Sequence, residues 1–183
     1  MDFDKVFKFI LTDFSSHQIN FALIGGFALA SWGYPRSTLD IDFLLDKDDL
    51  PKVKSQMTAL GYDIAHESEE VITFQSKLTP LGLVDFLLAH RHYTKGMLAR
   101  AKEQSILDER HKIKVVTAED LIGLKVQASS NDPHRYHQDM ADIEAIIREN
   151  YTSLDFKLIK EYFAIFKREK DLEAILEKTK NVK

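Results

Sequence analysis

A short apolar run, Phe21-Ala22-Leu23-Ile24, is cut off by Gly25-Gly26, and residues 39–45 then alternate apolar side chains with the acids Asp40 and Asp42. A brief apolar run stopped by glycines predicts a buried strand and a tight turn. Alternation predicts a strand with one polar face. Between the two lie a short helix over 27–32 and a loop through Tyr34-Pro35, because a residue before proline resists helical backbone.

The rest of the chain supplies helices and a few more strands. Phe3, Val6, Phe7, Ile10, Leu11 and Phe14 recur at helical spacing, which predicts an amphipathic helix over 2–18. A helix capped by Asp48 and stopped by Gly61 follows the acidic strand. Strands are expected at 71–74 and 81–88, joined through Thr79-Pro80, and at 112–116. Thr117-x-x-Asp120 has the form of a capping box opening a helix to about Gln127, and three helices are expected at 137–149, 153–168 and 171–179. The fold class expected is α+β: a small mixed β-sheet flanked by helices over 1–116, and a helical C-terminal subdomain over 117–183.

Composition narrows the chemistry. The 183 residues include no cysteine, which excludes disulfides, thiolate metal sites and thiol catalysis. A formal charge of −4 excludes a uniformly basic nucleic-acid coat. Charge is nonetheless uneven: residues 38–70 hold nine acids against three lysines, and 91–114 hold seven Lys or Arg against three acids. An acidic patch for metal beside a basic stretch for phosphates or RNA is one arrangement of this kind, two solvated faces another. No apolar run approaches the roughly 20 residues of a membrane span. Acids stand near the start where a signal peptide has basic residues, so a cytoplasmic protein without membrane contact is expected.

The chemistry is carried by three aspartates. In a strand, residues i and i+2 share a face, so Asp40 and Asp42 stand about 6–7 Å apart along it. Asp85 interrupts a second apolar strand, Leu83-Val84-Asp85-Phe86-Leu87-Leu88, where an acid is seldom buried alone. If the strands are neighbours, three carboxylates converge. Two of them 4 Å apart repel by about 4 kcal/mol at an effective dielectric of 20. A hard divalent ion with oxygen ligands, Mg²⁺ or Mn²⁺, answers this best. The glycine pair lets backbone N–H groups approach phosphate oxygens. Together these are the equipment for binding a nucleoside triphosphate.

The run IGGFALASWGYPRSTLDIDFLL resembles the signature of the nucleotidyltransferase superfamily, with the polymerase-beta-like fold. Within it the chain is similar to small bacterial proteins related to AbiEii-type toxins of type IV toxin–antitoxin systems. Arg36 and Thr38 match an Arg-x-Thr before the first acid, Asp85 a later strand acid, and Lys125, Arg135 and Asp139 a looser set further on. Gln138 departs from the lysine that many of those toxins carry there, and the chain is shorter than most of them. The resemblance implies that Asp40, Asp42 and Asp85 ligate two metal ions, that Asp85 helps activate an acceptor hydroxyl, and that Gly25 and Gly26 cradle phosphates. It implies transfer of an NMP from an NTP to RNA, a protein or a small molecule, with a cognate antitoxin as a partner. A nucleotide-binding module without turnover is the alternative.

Several residues carry two readings. Arg36 contacts phosphate or is a solvated loop residue. Thr38 donates to phosphate or satisfies the loop backbone. Lys125 projects toward the cleft as a catalytic group or snorkels at the surface. Asp139 pairs with Lys125 or Arg135, or complements its helix dipole. The histidines lack zinc-protease spacing, and His90 and His92 are expected in a loop near the mouth of the site.

Overall fold

The computed structural model describes residues 1–77 and 81–180. They fall into two compact units, Met1–Ser31 with Arg36–Val116, and Trp32–Pro35 with the chain from Thr117 onward. Among the described residues no helix is long and apolar enough to cross a membrane.

The first unit begins with α1 (Phe3–Ser16), whose N-cap Asp2 accepts from the Lys5 N–H. There follow β1 (Phe21–Leu23), α2 (Gly25–Ser31), β2 (Ile41–Asp46), α3 (Leu50–Ala59), β3 (Tyr62–Glu67), β4 (Val71–Ser76), β5 (Leu83–Ala89), α4 (His92–Arg100), β6 (Lys102–Ile106) and β7 (His111–Val115). The seven strands form one sheet in the order β3-β4-β5-β2-β1-β7-β6. It is mixed: β2 runs antiparallel to β1 and parallel to β5, and β1 runs parallel to β7. Phe7 and Phe14 of α1 meet Phe21, Phe43 and Phe86 of the sheet edge-on or tilted, with centroids 5.1–6.2 Å apart. Phe43 and Phe86, in register on β2 and β5, stack at 5.4 Å. Each fully buried ring contributes about 1.5–3 kcal/mol, so this aromatic layer fixes the relation of β2 to β5 and with it the face that carries the acids.

The expected α+β class with a mixed sheet is the one observed, with more elements than foreseen. β3 and β6 are the two edges of the sheet, and each presents a single buried residue, Tyr62 and Ile106. Edge strands kept polar resist pairing with other chains, so they carry no apolar rhythm to read. α4 buries only Thr94, Met97 and Leu98. The acidic strand starts at Ile41, which leaves Asp40 just outside it, and Gly25-Gly26 open α2 rather than preceding it. Asp48 is not a helix cap: Asp46 accepts from its N–H and closes a short 3-10 turn, Lys47–Asp49, before α3. The expected Thr79-Pro80 link lies outside the described residues.

The second unit contains α5 (Ala118–Asn131), α6 (Tyr136–Asn150), α7 (Phe156–Ile165) and α8 (Glu169–Lys180). Thr117 caps α5 by accepting from Asp120 N–H, and the helix runs four residues past its expected end. Asp155 accepts from the N–H groups of Lys157 and Leu158, which sets the start of α7 later than the apolar pattern suggested.

Candidate functional site

The sheet brings Asp42 and Asp85 side by side, since they are register partners on parallel neighbours β2 and β5. Asp40 joins them from the residue before β2, and one carboxylate oxygen from each of the three lies within 4.8 Å of the other two. Ile24 N–H donates to Asp42 carbonyl at 3.0 Å, tying the acidic strand to the start of α2.

Asp85 has the least comfortable environment of the three. Its Oδ1 is buried with no hydrogen-bond partner. Burial, reinforced by the charge of Asp40, pushes its carboxyl above the ordinary 3.8, while a hydrogen bond from Thr73, its register partner on β4, and the nearby His66 pull the other way. A carboxyl raised in the folded state favours folding most in acid, and that contribution is lost as pH rises through the folded titration. Asp85→Asn is therefore expected to melt higher than the natural chain at pH 7 in chelator. The gap should close as pH falls toward 4, as thermal melts across that range would show. Equal melting temperatures at both ends would contradict the account.

The glycines serve the acids directly. Gly25 has φ +64°, and a Cβ there would lie 1.9 Å from Asp42 Oδ2. A Cβ on Gly26 would lie 2.7 Å from Thr38 Cβ. The missing side chains are thus space occupied by Asp42 and by Thr38, whose hydroxyl donates to Asp40 Oδ1 at 2.7 Å. Arg36 Nη1 donates to the Ser37 carbonyl at 3.2 Å. Three converging carboxylates, one with a buried oxygen lacking a partner, fit a divalent cation with oxygen ligands.

Lys125 lies in the second unit, 5% exposed, with its ammonium 3.1 Å from Asp139 Oδ1 and 2.5 Å from Asp142 Oδ2. Arg135 Nε donates to Asp139 Oδ2 at 3.2 Å, and Gln138 Nε2 to Asp142 Oδ1 at 2.9 Å. The surface-snorkelling reading of Lys125 does not hold, and Asp139 is buried between cations rather than left to the helix dipole. Asp142 was missed. Its signal was available, because it falls one turn after Asp139 on the face that carries Ile143 and Ile146. The buried pair Tyr162 Oη to Asp120 Oδ1, 2.6 Å, was missed too. His90 is not at the mouth of the site. It follows the opposite end of β5, five residues or about 16 Å along the strand from Asp85, and sits 3.5 Å from Glu70.

A family model described as uncharacterised nucleotidyltransferase matches residues 6–180. Among solved structures, the antibiotic-resistance factor ANT(2'')-Ia is similar over all of both chains, at 16% identity and a TM-score of 0.66. The lincomycin-bound lincosamide antibiotic adenylyltransferase LnuA is similar over 78% of this chain and 96% of its own, at 19% identity and a TM-score of 0.56. An antigenic nucleotidyltransferase-like protein from Paracoccidioides brasiliensis is similar over 96% of this chain and 92% of its own, at 17% identity and a TM-score of 0.57. No curated protein matches the chain by sequence. At these identities the structures speak for the fold, and the family model, spanning the sheet, the acids and all four C-terminal helices, shows that the chain belongs to that nucleotidyltransferase family.

Proposed function

We propose that the chain transfers a nucleoside monophosphate from an NTP to an acceptor hydroxyl, with Mg²⁺ or Mn²⁺ held by Asp40, Asp42 and Asp85. The observation that carries this is the meeting of three carboxylates around a buried oxygen of Asp85 that has no partner. The cation, when bound, would neutralise charge on the triphosphate and acidify the acceptor hydroxyl. Asp85 helps to activate that hydroxyl by accepting its proton, which the cation would have made acidic enough for a carboxylate to take. The acceptor oxygen forms a bond to the α-phosphorus as the bond to pyrophosphate breaks. Gly25 and Gly26 offer backbone N–H groups at the first turn of α2 to the phosphates, and Arg36 offers a forked donor. Lys125 is assigned to holding α5 on α6 through its two aspartates.

The acceptor is RNA, a protein or a small molecule. A small-molecule acceptor is favoured by the likeness in fold to an antibiotic-resistance factor and to a lincosamide antibiotic adenylyltransferase. The narrower placement beside AbiEii-type toxins, with a cognate antitoxin as partner and a cytoplasmic setting, draws on Arg36, Thr38, Lys125, Arg135 and Asp139. Growth arrest on expression that vanishes in Asp42→Asn would be its mark. The enzymatic reading is tested with α-labelled NTPs, Mg²⁺ and a panel of hydroxylated small molecules, oligonucleotides and cell extract. Label should move to one acceptor class and fall at least 100-fold in Asp42→Asn. NTP binding with no transfer to any of them would point to a nucleotide-binding module instead.

A further inference from the structure

We propose that Thr38 is a positioning residue that holds Asp40 in the three-carboxylate cluster, and that position 26 is glycine so that Thr38 can reach it. The inference rests on the proposed cation site and concerns how one of its acids is kept in place.

Asp40 needs an anchor that Asp42 and Asp85 do not. Those two are fixed by the β2–β5 ladder, whereas Asp40 stands before β2 begins. Its predecessor, Leu39, is 89% exposed and packs against little. A carboxylate at such a position is free to swing toward solvent, away from two like charges. Thr38 Oγ1 stops that motion. It lies 2.7 Å from Asp40 Oδ1 and 3.3 Å from Asp40 carbonyl oxygen. A hydroxyl has one hydrogen to give, and the shorter, charge-assisted contact takes it. Thr38 therefore cannot also donate to a phosphate while it holds Asp40.

The seat of Thr38 is built into the glycine pair. A Cβ on Gly26 would stand 2.7 Å from Thr38 Cβ and 2.9 Å from its Oγ1, closer than real Cβ atoms approach. With a β-branched side chain resting on that bare backbone, χ1 has few alternatives. The start of α2, Thr38 and Asp40 thus form a stack in which each member sets the next.

The test measures Mn²⁺ binding to the full chain by the spin-resonance signal of free Mn²⁺, with no nucleotide and no turnover. Thr38→Val keeps the shape and removes the donor; affinity should fall about ten-fold, the worth of one charge-assisted hydrogen bond. Thr38→Ser should recover to within about three-fold of the natural chain. Gly26→Ala should lose affinity like Thr38→Val with the hydroxyl still present, which keeps the test valid if the valine variant melts below the assay temperature. Thr38→Val binding Mn²⁺ as tightly as the natural chain overturns the proposal, and doing so while NTP binding in chelator weakens makes Thr38 a phosphate donor. A natural chain that binds no Mn²⁺ takes down the cation site itself, a different failure visible before any variant is made.

Discussion

Gly25→Ala should cost the protein its activity while leaving most of its fold. The added Cβ would stand 1.9 Å from Asp42 Oδ2, so the carboxylate must leave its place. The backbone at φ +64° adds strain of about 1–2 kcal/mol for a residue with a Cβ, a tolerable fraction of an ordinary folding free energy of 5–15 kcal/mol. A displacement of about 1 Å in a reacting constellation costs on the order of 100-fold in rate. NMP transfer by Gly25→Ala should therefore drop at least 100-fold, and Mg²⁺ should no longer raise its melting temperature. A variant that transfers label at near the natural rate would show that Asp42 is not where the reaction needs it.

Lys125→Ala should have the largest effect on stability. It leaves Asp139 and Asp142, 1% and 0% exposed, facing each other without the ammonium between them. Removing one member of a buried ion pair costs about 3–5 kcal/mol, because the charge left behind is undercompensated away from water. Arg135 and Gln138 each hold one oxygen of the pair and cannot reach into the gap without abandoning it. Adding Asp142→Asn to Lys125→Ala should recover part of the loss by deleting one stranded charge. Urea midpoints on the three proteins check this; a single variant within about 1 kcal/mol of the natural chain would mean that water reaches the network freely.

The acids were legible because strands advertise themselves. Asp40, Asp42 and Asp85 break apolar runs at intervals of two or in mid-strand, which predicts their convergence if the strands are neighbours; the parallel register that sets 42 against 85 came only from the structure. The edge strands were not legible, since a strand chosen for solubility has no apolar side to announce. The partnership of Lys125 with Asp142 was only half legible: Asp142 shares the buried helix face with Asp139, but nothing in the sequence joins that face to Lys125. Lys125 and Asp142 are seventeen apart in sequence, and only the packing of α5 on α6 makes them neighbours. The glycine pair was recognised for its backbone, but its closest neighbours are side chains: the sequence shows that Cβ atoms are missing, and only coordinates show what fills the space. Thr38 was read as a phosphate or loop residue for the same reason, because its partner is two positions away around a bend rather than one turn away on a helix.

The excursion at residues 32–35 bears on how this protein can be taken apart. Between α2 and β2 the chain leaves the sheet-bearing unit, and Asn150 Nδ2 clasps the Trp32 carbonyl at 2.9 Å before the chain returns at Arg36. A gene truncated after Val116 would encode all seven described strands yet cut that tether loose, and the slack would fall on the stretch linking the twin glycines to Thr38 and Asp40. The two units interleave along the chain, so shuffling the helical part among related chains would have to carry residues 32–35 along with it.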